Sequence, residues 1–246
     1  MTMRRIAGAA AVALVSMNGP AAAVVGGADD ESPLARSSVM VLSSKGGVCS
    51  AVVVAPDVVL TAAHCVAGAP DHRVHWRGEA GEPVLVTPAA KALHPGYDAG
   101  AVQGRRRSID LALIRLPEAL PARFESVTLA GATPARDGSV TVGGWGVARE
   151  GDIRSTGTFR TAALRAVEPH GPSRILLWAE GGGAGACHGD SGGLLAAGGT
   201  VVAITSWSTG PRGRRCGTLT QGILLGPQRD WIDRVLQGWD RSARWE

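Results

Sequence analysis

Short runs of Val, Leu, Ile and Thr, interrupted again and again by glycine and proline, run through most of this chain. Ala51-Val52-Val53-Val54, Val58-Val59-Leu60 and Leu111-Ala112-Leu113-Ile114 read as strands, and the 35 glycines and 14 prolines punctuate such runs before a helical period can build. No helical pattern alternates with them, so a parallel sheet wound by crossover helices is not indicated and an all-β chain is. At 246 residues the length admits one large all-β unit or two small domains, and the strand pattern favours the first. Only Gln228–Leu236 reads as a helix, with Trp231, Ile232, Val235 and Leu236 on one face.

Chemistry concentrates near the C-terminal end, in Cys187-His188-Gly189-Asp190-Ser191-Gly192-Gly193. Glycines on both sides let the backbone turn tightly and leave N–H groups unshielded beside the Ser191 hydroxyl, where they can face an oxyanion. The same pattern satisfies the G-x-S-x-G elbow of α/β-hydrolases. Serine is a weak nucleophile and needs a base, itself oriented by a third group. Six histidines are available (His64, His72, His75, His94, His170 and His188), and none follows Ser191. The elbow requires its histidine last, so chain order excludes it.

His64 is the best base. It stands in Leu60-Thr61-Ala62-Ala63-His64-Cys65, where an apolar strand runs into a turn of small residues. Asp110 is the best acid, heading the apolar segment Ile109-Asp110-Leu111-Ala112-Leu113-Ile114-Arg115-Leu116, where a carboxylate needs a partner.

In the order His64, Asp110, Ser191, and in the wording around each, the chain resembles the trypsin/chymotrypsin-like serine proteases, from Val24 to the helix near Trp231-Ile232. Gly144-Trp145-Gly146, His94-Pro95-Gly96-Tyr97 and Ser206-Trp207 carry the same likeness. The resemblance implies two antiparallel six-stranded β-barrels, about 24–125 and 126–246, with the active site in the cleft between them. The chain would cross over around Glu118 to Thr133, and the C-terminal helix would pack on the second barrel. It further implies a catalytic triad of His64, Asp110 and Ser191, with an oxyanion hole from the N–H groups of Gly189 and Ser191. Disulfides are implied for Cys49 with Cys65 and for Cys187 with Cys216; four cysteines alone allow three connectivities, and no pair has the C-x-x-C spacing of a zinc site.

Residues 1–23 read as a secretion signal: Arg4-Arg5, an apolar run from Ile6 to Val15, then Ala21-Ala22-Ala23 as the cleavage site. The apolar run is about half of the roughly 20 residues that span a bilayer, so no membrane anchor is expected. The residues after Arg4-Arg5 suit general secretion better than twin-arginine export. Loss of those two arginines takes the net charge from +4 to +2, too mild to indicate nucleic acid or an anionic membrane. Val24-Val25-Gly26-Gly27 matches the family's mature N-terminus, whose new α-amine would pair with Asp190. Because the alanines lie directly before Val24, signal peptidase itself would release that amine, without a lasting zymogen or with at most a one- or two-residue pro-segment.

By the resemblance the substrate pocket consists of Gly185, Ala186, His188, Ser206, Trp207, Ser208 and Gly222. Gly185 stands where trypsin-like members carry an aspartate. A buried Lys or Arg would lack a counter-charge there, so a roomy neutral pocket for aromatic or large apolar side chains is expected. Arg105-Arg106-Arg107 reads as a solvated loop and Gly78-Glu79-Ala80-Gly81-Glu82 as an exposed turn rather than a calcium loop. No metal or cofactor is expected. The expected partners are protein or peptide substrates, with room for a protein inhibitor, for a chain acting as a monomer. Two rival readings remain: a secreted non-enzymatic homologue serving as a binding module, and a subtilisin-type enzyme with Asp29, Asp30 or Asp57 as the acid. The strand pattern and the cysteines argue against the second.

Overall fold

The computed structural model describes residues 24–246 apart from 69, 70, 105 and 212. The secretion signal and Arg105 therefore lie outside the described residues. Two β-sheets, each curled into a barrel-like layer, make up the fold.

The second sheet closes on itself with six antiparallel strands, Ser139–Gly144, Arg160–Val167, Leu176–Glu180, Leu219–Leu224, Thr200–Thr209 and Leu194–Ala197 in spatial order, the last pairing back with the first. In the first sheet the spatial order is Pro83–Val86, His72–Arg77, Ser38–Ser43, Val48–Ala55, Val58–Thr61, Ala112–Arg115 and Ala90–Leu93. It has seven strands instead of the expected six because the chain between Val86 and Ala90, which contains Pro88, interrupts one of them. A proline has no N–H to give to a ladder. The two ends of the sheet are thus joined by chain rather than by hydrogen bonds.

The apolar runs are continuous because these strands are covered on both faces. Ala51, Val53, Val59, Ala112 and Ile114 point into the first barrel. Val52, Val54, Val58, Leu60, Leu111 and Leu113 point the other way, into a core shared with Leu129, Leu194, Ile204 and Ile223 of the second half. Alternation between two buried faces leaves no polar positions in the sequence pattern.

The C-terminal helix spans Arg229–Gln237 and sinks Trp231, Ile232 and Leu236 into that shared core. It packs on the second barrel, as expected, and on the first sheet as well. Trp231 meets the His94 ring edge-on at 4.7 Å, and Arg241 just beyond the helix grips buried Asp57 of the first sheet at 2.6 and 3.0 Å. Two single-turn helices, Pro33–Arg36 and Ala101–Gly104, carry no sequence signal of their own. Arg106 pairs with Asp98, Arg107 is exposed, and 78–82 forms a turn closed by the Gly78 N–H on Glu82 O at 2.8 Å. Both implied disulfides are present. Among the described residues no helix is long and apolar enough to cross a membrane.

Candidate active site

Strand Val58–Thr61 runs out into a tight turn, Ala63–Cys65, which lifts His64 off the sheet while the Cys49–Cys65 disulfide holds the turn against strand Val48–Ala55. Asp110 arrives just before the neighbouring strand, Ala112–Arg115. Its Oδ2 accepts from His64 Nδ1 at 2.7 Å and its Oδ1 from the His64 backbone N–H at 2.9 Å. A third donor comes from the other half of the molecule: Ser206 Oγ lies 2.6 Å from Oδ2. Burial would push the Asp110 carboxyl up, but the His64 side chain and its charge, with the Ser206 hydroxyl and the His64 N–H, together hold it below its ordinary 3.8. An ionised Asp110 makes Nδ1 the ring nitrogen that donates to it, and Nε2 is the ring nitrogen that Asp110 does not engage.

Ser191 lines the same open cleft as His64, a space of about 690 Å³ between the two sheets. Nε2 lies 3.7 Å from Cys65 Sγ, and among the described residues no hydrogen bond joins it to Ser191 Oγ. His64 and Asp110 are thus bonded to each other while Ser191 lies in the cleft without a bond to His64.

The loop around Ser191 is built on close backbone approach. Gly189 adopts φ +94°, and a Cβ there would come within 2.7 Å of Gly146 Cα. A Cβ on Gly146 would in turn meet the Asp190 carboxylate carbon at 2.6 Å, so the Gly144-Trp145-Gly146 segment is small because Asp190 rests on it. Neither the Gly189 nor the Ser191 N–H donates to a described residue. Both are available to a ligand.

Asp190 is fully buried, its oxygens accepting from the Gly146 N–H at 2.9 Å and the Cys187 N–H at 2.8 Å. Burial pushes its pKa up to about 7, against the two N–H groups and the charge of Arg160, which pull it down. Val24 is also fully buried, packed with Val140, Val142 and Ala186, and Val25 pairs with Gly185. In the full-length chain the Val24 nitrogen belongs to a peptide bond, so the ion pair expected with Asp190 is not formed. Among the described residues Asp190 therefore has no direct ion-pair partner, only the more distant charge of Arg160.

His188, Ser206, Trp207 and Ser208 line the cleft, but Gly185, Ala186 and Gly222 do not. The Thr220 hydroxyl accepts from the Ala186 N–H at 3.0 Å and occupies the space directly over Gly185. Gly222 faces Leu195 and Ala203 inside the second barrel. At these small residues side chains from elsewhere come close, the Thr220 hydroxyl over Gly185 and Leu195 and Ala203 beside Gly222. Ser208 Oγ donates to Arg215 O at 3.2 Å and ties the walls together at the mouth.

Sequence reading missed Thr220 and also Ser50, whose hydroxyl donates to Gly189 O at 2.9 Å and accepts from the Trp145 N–H at 2.9 Å. A polar residue in the apolar run Val48–Ala55 was the available signal for Ser50. Nothing local marked Thr220.

The sequence matches the family model described as Trypsin over residues 24–232. No curated protein sequence matches it significantly. Among solved structures, mouse neuropsin, a serine protease expressed in the limbic system of the brain, superposes with a TM-score of 0.72 at 23% identity, covering 86% of this chain and 99% of that one. Human heparin binding protein superposes with a TM-score of 0.71 at 22% identity, covering 87% and 97%.

Proposed function

The chain belongs to the trypsin family of serine proteases, and from that premise we propose that it is a secreted serine endopeptidase working through His64, Asp110 and Ser191. The observation that carries this reading is the bond of 2.7 Å between His64 Nδ1 and Asp110, with Nε2 left unengaged by Asp110 in the cleft that Ser191 lines. In the proposed reaction His64 takes the Ser191 proton as Oγ attacks the scissile carbonyl carbon. Negative charge on the carbonyl oxygen is met by the N–H groups of Gly189 and Ser191. His64 then delivers its proton to the leaving amine, and water, activated by the same imidazole, hydrolyses the acyl-enzyme. Asp110 keeps the imidazole in one tautomer and stabilises its charged form.

Cleavage after Ala23 would free the Val24 amine beside Asp190, and the protease domain would then run from 24 to 246 in two halves meeting near 125. Its substrates would be proteins or peptides laid along Ser206-Trp207-Ser208. The side chain on the acyl side of the bond is read as neutral, since no carboxylate stands at Gly185. It is also read as small, since the Thr220 hydroxyl lies directly over Gly185. This revises the preference for large apolar residues drawn from the sequence.

Treatment with a serine-directed phosphonylating reagent, followed by mass spectrometry, separates this reading from a non-enzymatic binding module. A single adduct on Ser191, lost in His64→Ala, is expected. Intact folded protein that takes no label would favour the module. Asp110→Asn should retain the fold and lower kcat by about 10⁴, as the handed-over tautomer is wrong.

A further inference from the structure

In the loop that carries Ser191, the Gly189 and Ser191 N–H groups donate to no described residue, while four carbonyls are held. His188 O accepts from the Val147 N–H at 2.8 Å, Gly189 O from Ser50 Oγ at 2.9 Å, Asp190 O from the Gly193 N–H at 2.9 Å and Ser191 O from the Ser50 N–H at 2.8 Å. Each of these peptide oxygens thereby has a donor inside the protein. Three of these anchors are backbone groups. Only the one on Gly189 depends on a side chain.

Gly189 is also the position where the loop is easiest to turn. At φ +94° it uses the freedom that only glycine has, and rotation of its flanking peptides would swing the N–H off its aim. Ser50 holds the peptide on the C-terminal side of Gly189, the one that joins Gly189 O to the Asp190 N–H, while Val147 holds the peptide that carries the Gly189 N–H. From a site with no solvent access Ser50 thereby opposes rotation about Gly189. Its hydroxyl is saturated, donating to Gly189 O and accepting from the Trp145 N–H, and its own carbonyl is pinned by Thr61 Oγ1 at 2.7 Å. Turning the peptide of Gly189 O would therefore leave that carbonyl and the Ser50 hydroxyl, both buried, without each other.

We propose that Ser50 is a positioning residue, which acts through Gly189 to aim the N–H groups that receive the oxyanion. It stands on the first sheet, 139 residues before Gly189, and so makes correct docking of the two halves a condition for a working loop. This inference rests on the proteolytic reading above.

The test compares wild type, Ser50→Ala and Ser50→Cys after active-site titration, using an alanyl peptide amide as substrate and a peptide boronic acid with an alanine-like side chain as tetrahedral probe. Ser50→Ala should lower kcat about 10- to 100-fold, short of the loss from deleting a donor outright, with KM changed less than about threefold. Boronate affinity should fall by the same factor as kcat. Ser50→Cys keeps a weak donor and acceptor in place and should recover part of both. Should Ser50→Ala fail to fold, the parallel loss of kcat and boronate affinity is read from Ser50→Cys against wild type. An unchanged kcat per titrated site, or a fall in kcat with boronate affinity intact, overturns the role of Ser50 while leaving the protease reading standing. Wild type that neither hydrolyses the substrate nor binds the boronate overturns both.

Discussion

Leaving Ala21-Ala22-Ala23 attached to Val24 should make the stability of the folded protein fall as pH rises from about 4 to about 7. In that extended form Asp190 is buried without a direct ion-pair partner among the described residues, and its pKa is pushed from the ordinary 3.8 up to about 7. Between those values the native state holds a proton that the unfolded chain has released, so stability declines with rising pH across the window and is flat above it. At 1.36 kcal/mol per unit the loss is about 4 kcal/mol, a large share of the 5–15 kcal/mol that holds a typical domain together. A chain beginning at Val24 brings an ammonium to the carboxylate. Its decline should instead appear in alkali, as pH passes the raised value of the amine. Urea denaturation of both forms, followed by tryptophan fluorescence at several values between pH 4 and 8, measures the difference. His72 and His94, held down chiefly by burial, titrate in both forms and cancel in the comparison. Asp190→Asn in the extended form should abolish the slope. Parallel curves for the two forms, or an extended form whose slope survives Asp190→Asn, would refute the account of Asp190 as a charge awaiting the Val24 amine.

Removing the Thr220 side chain should open the pocket over Gly185: Thr220→Gly is expected to raise kcat/KM for a leucyl or phenylalanyl peptide relative to the alanyl one by about 10- to 100-fold, and an unchanged ratio would mean the pocket is closed by something else. Gly146→Ala sets a Cβ 2.6 Å from both the Asp190 carboxylate carbon and His188 O, so it should displace the nucleophile loop, with an overpacking cost of about 1–3 kcal/mol in urea titrations and at least a 100-fold loss of rate, on the order of one misplaced oxyanion donor. Replacing Cys49 and Cys65 by serine frees a turn closed across 16 residues; a loss of about 3 kcal/mol is expected, with a fall in kcat as His64 loses its anchor, and retention of full activity would show that Asp110 alone suffices to hold the imidazole.

The readings that the sequence supported were those whose signals are local. His64 could be chosen over five other histidines because its strand, its turn of small residues and its cysteine are contiguous, and the structure bonds that histidine to Asp110. The strand runs were legible for the same reason, although their unbroken apolarity concealed that alternate residues serve two different cores. The helix could be drawn to within a residue at each end, yet its face could not reveal that the first sheet shares in covering it. Pocket size was not legible, because absence of a side chain at Gly185 and Gly222 says nothing about what arrives there from elsewhere, such as Thr220.

The amino-acid sequence by itself determined the chemical groups and their chain order: a serine among glycines, a histidine at a strand end, a carboxylate heading an apolar strand, and strands too short and interrupted for any other fold class. Only the tertiary structure decided how those groups are aimed and how much room they leave. Ser50 reaches Gly189 across 139 residues and Thr220 reaches Ala186 across 34. The physical reason is that hydrogen-bond direction and free volume belong to close-packed neighbours, and packing joins segments whose separation along the chain carries no periodic signal.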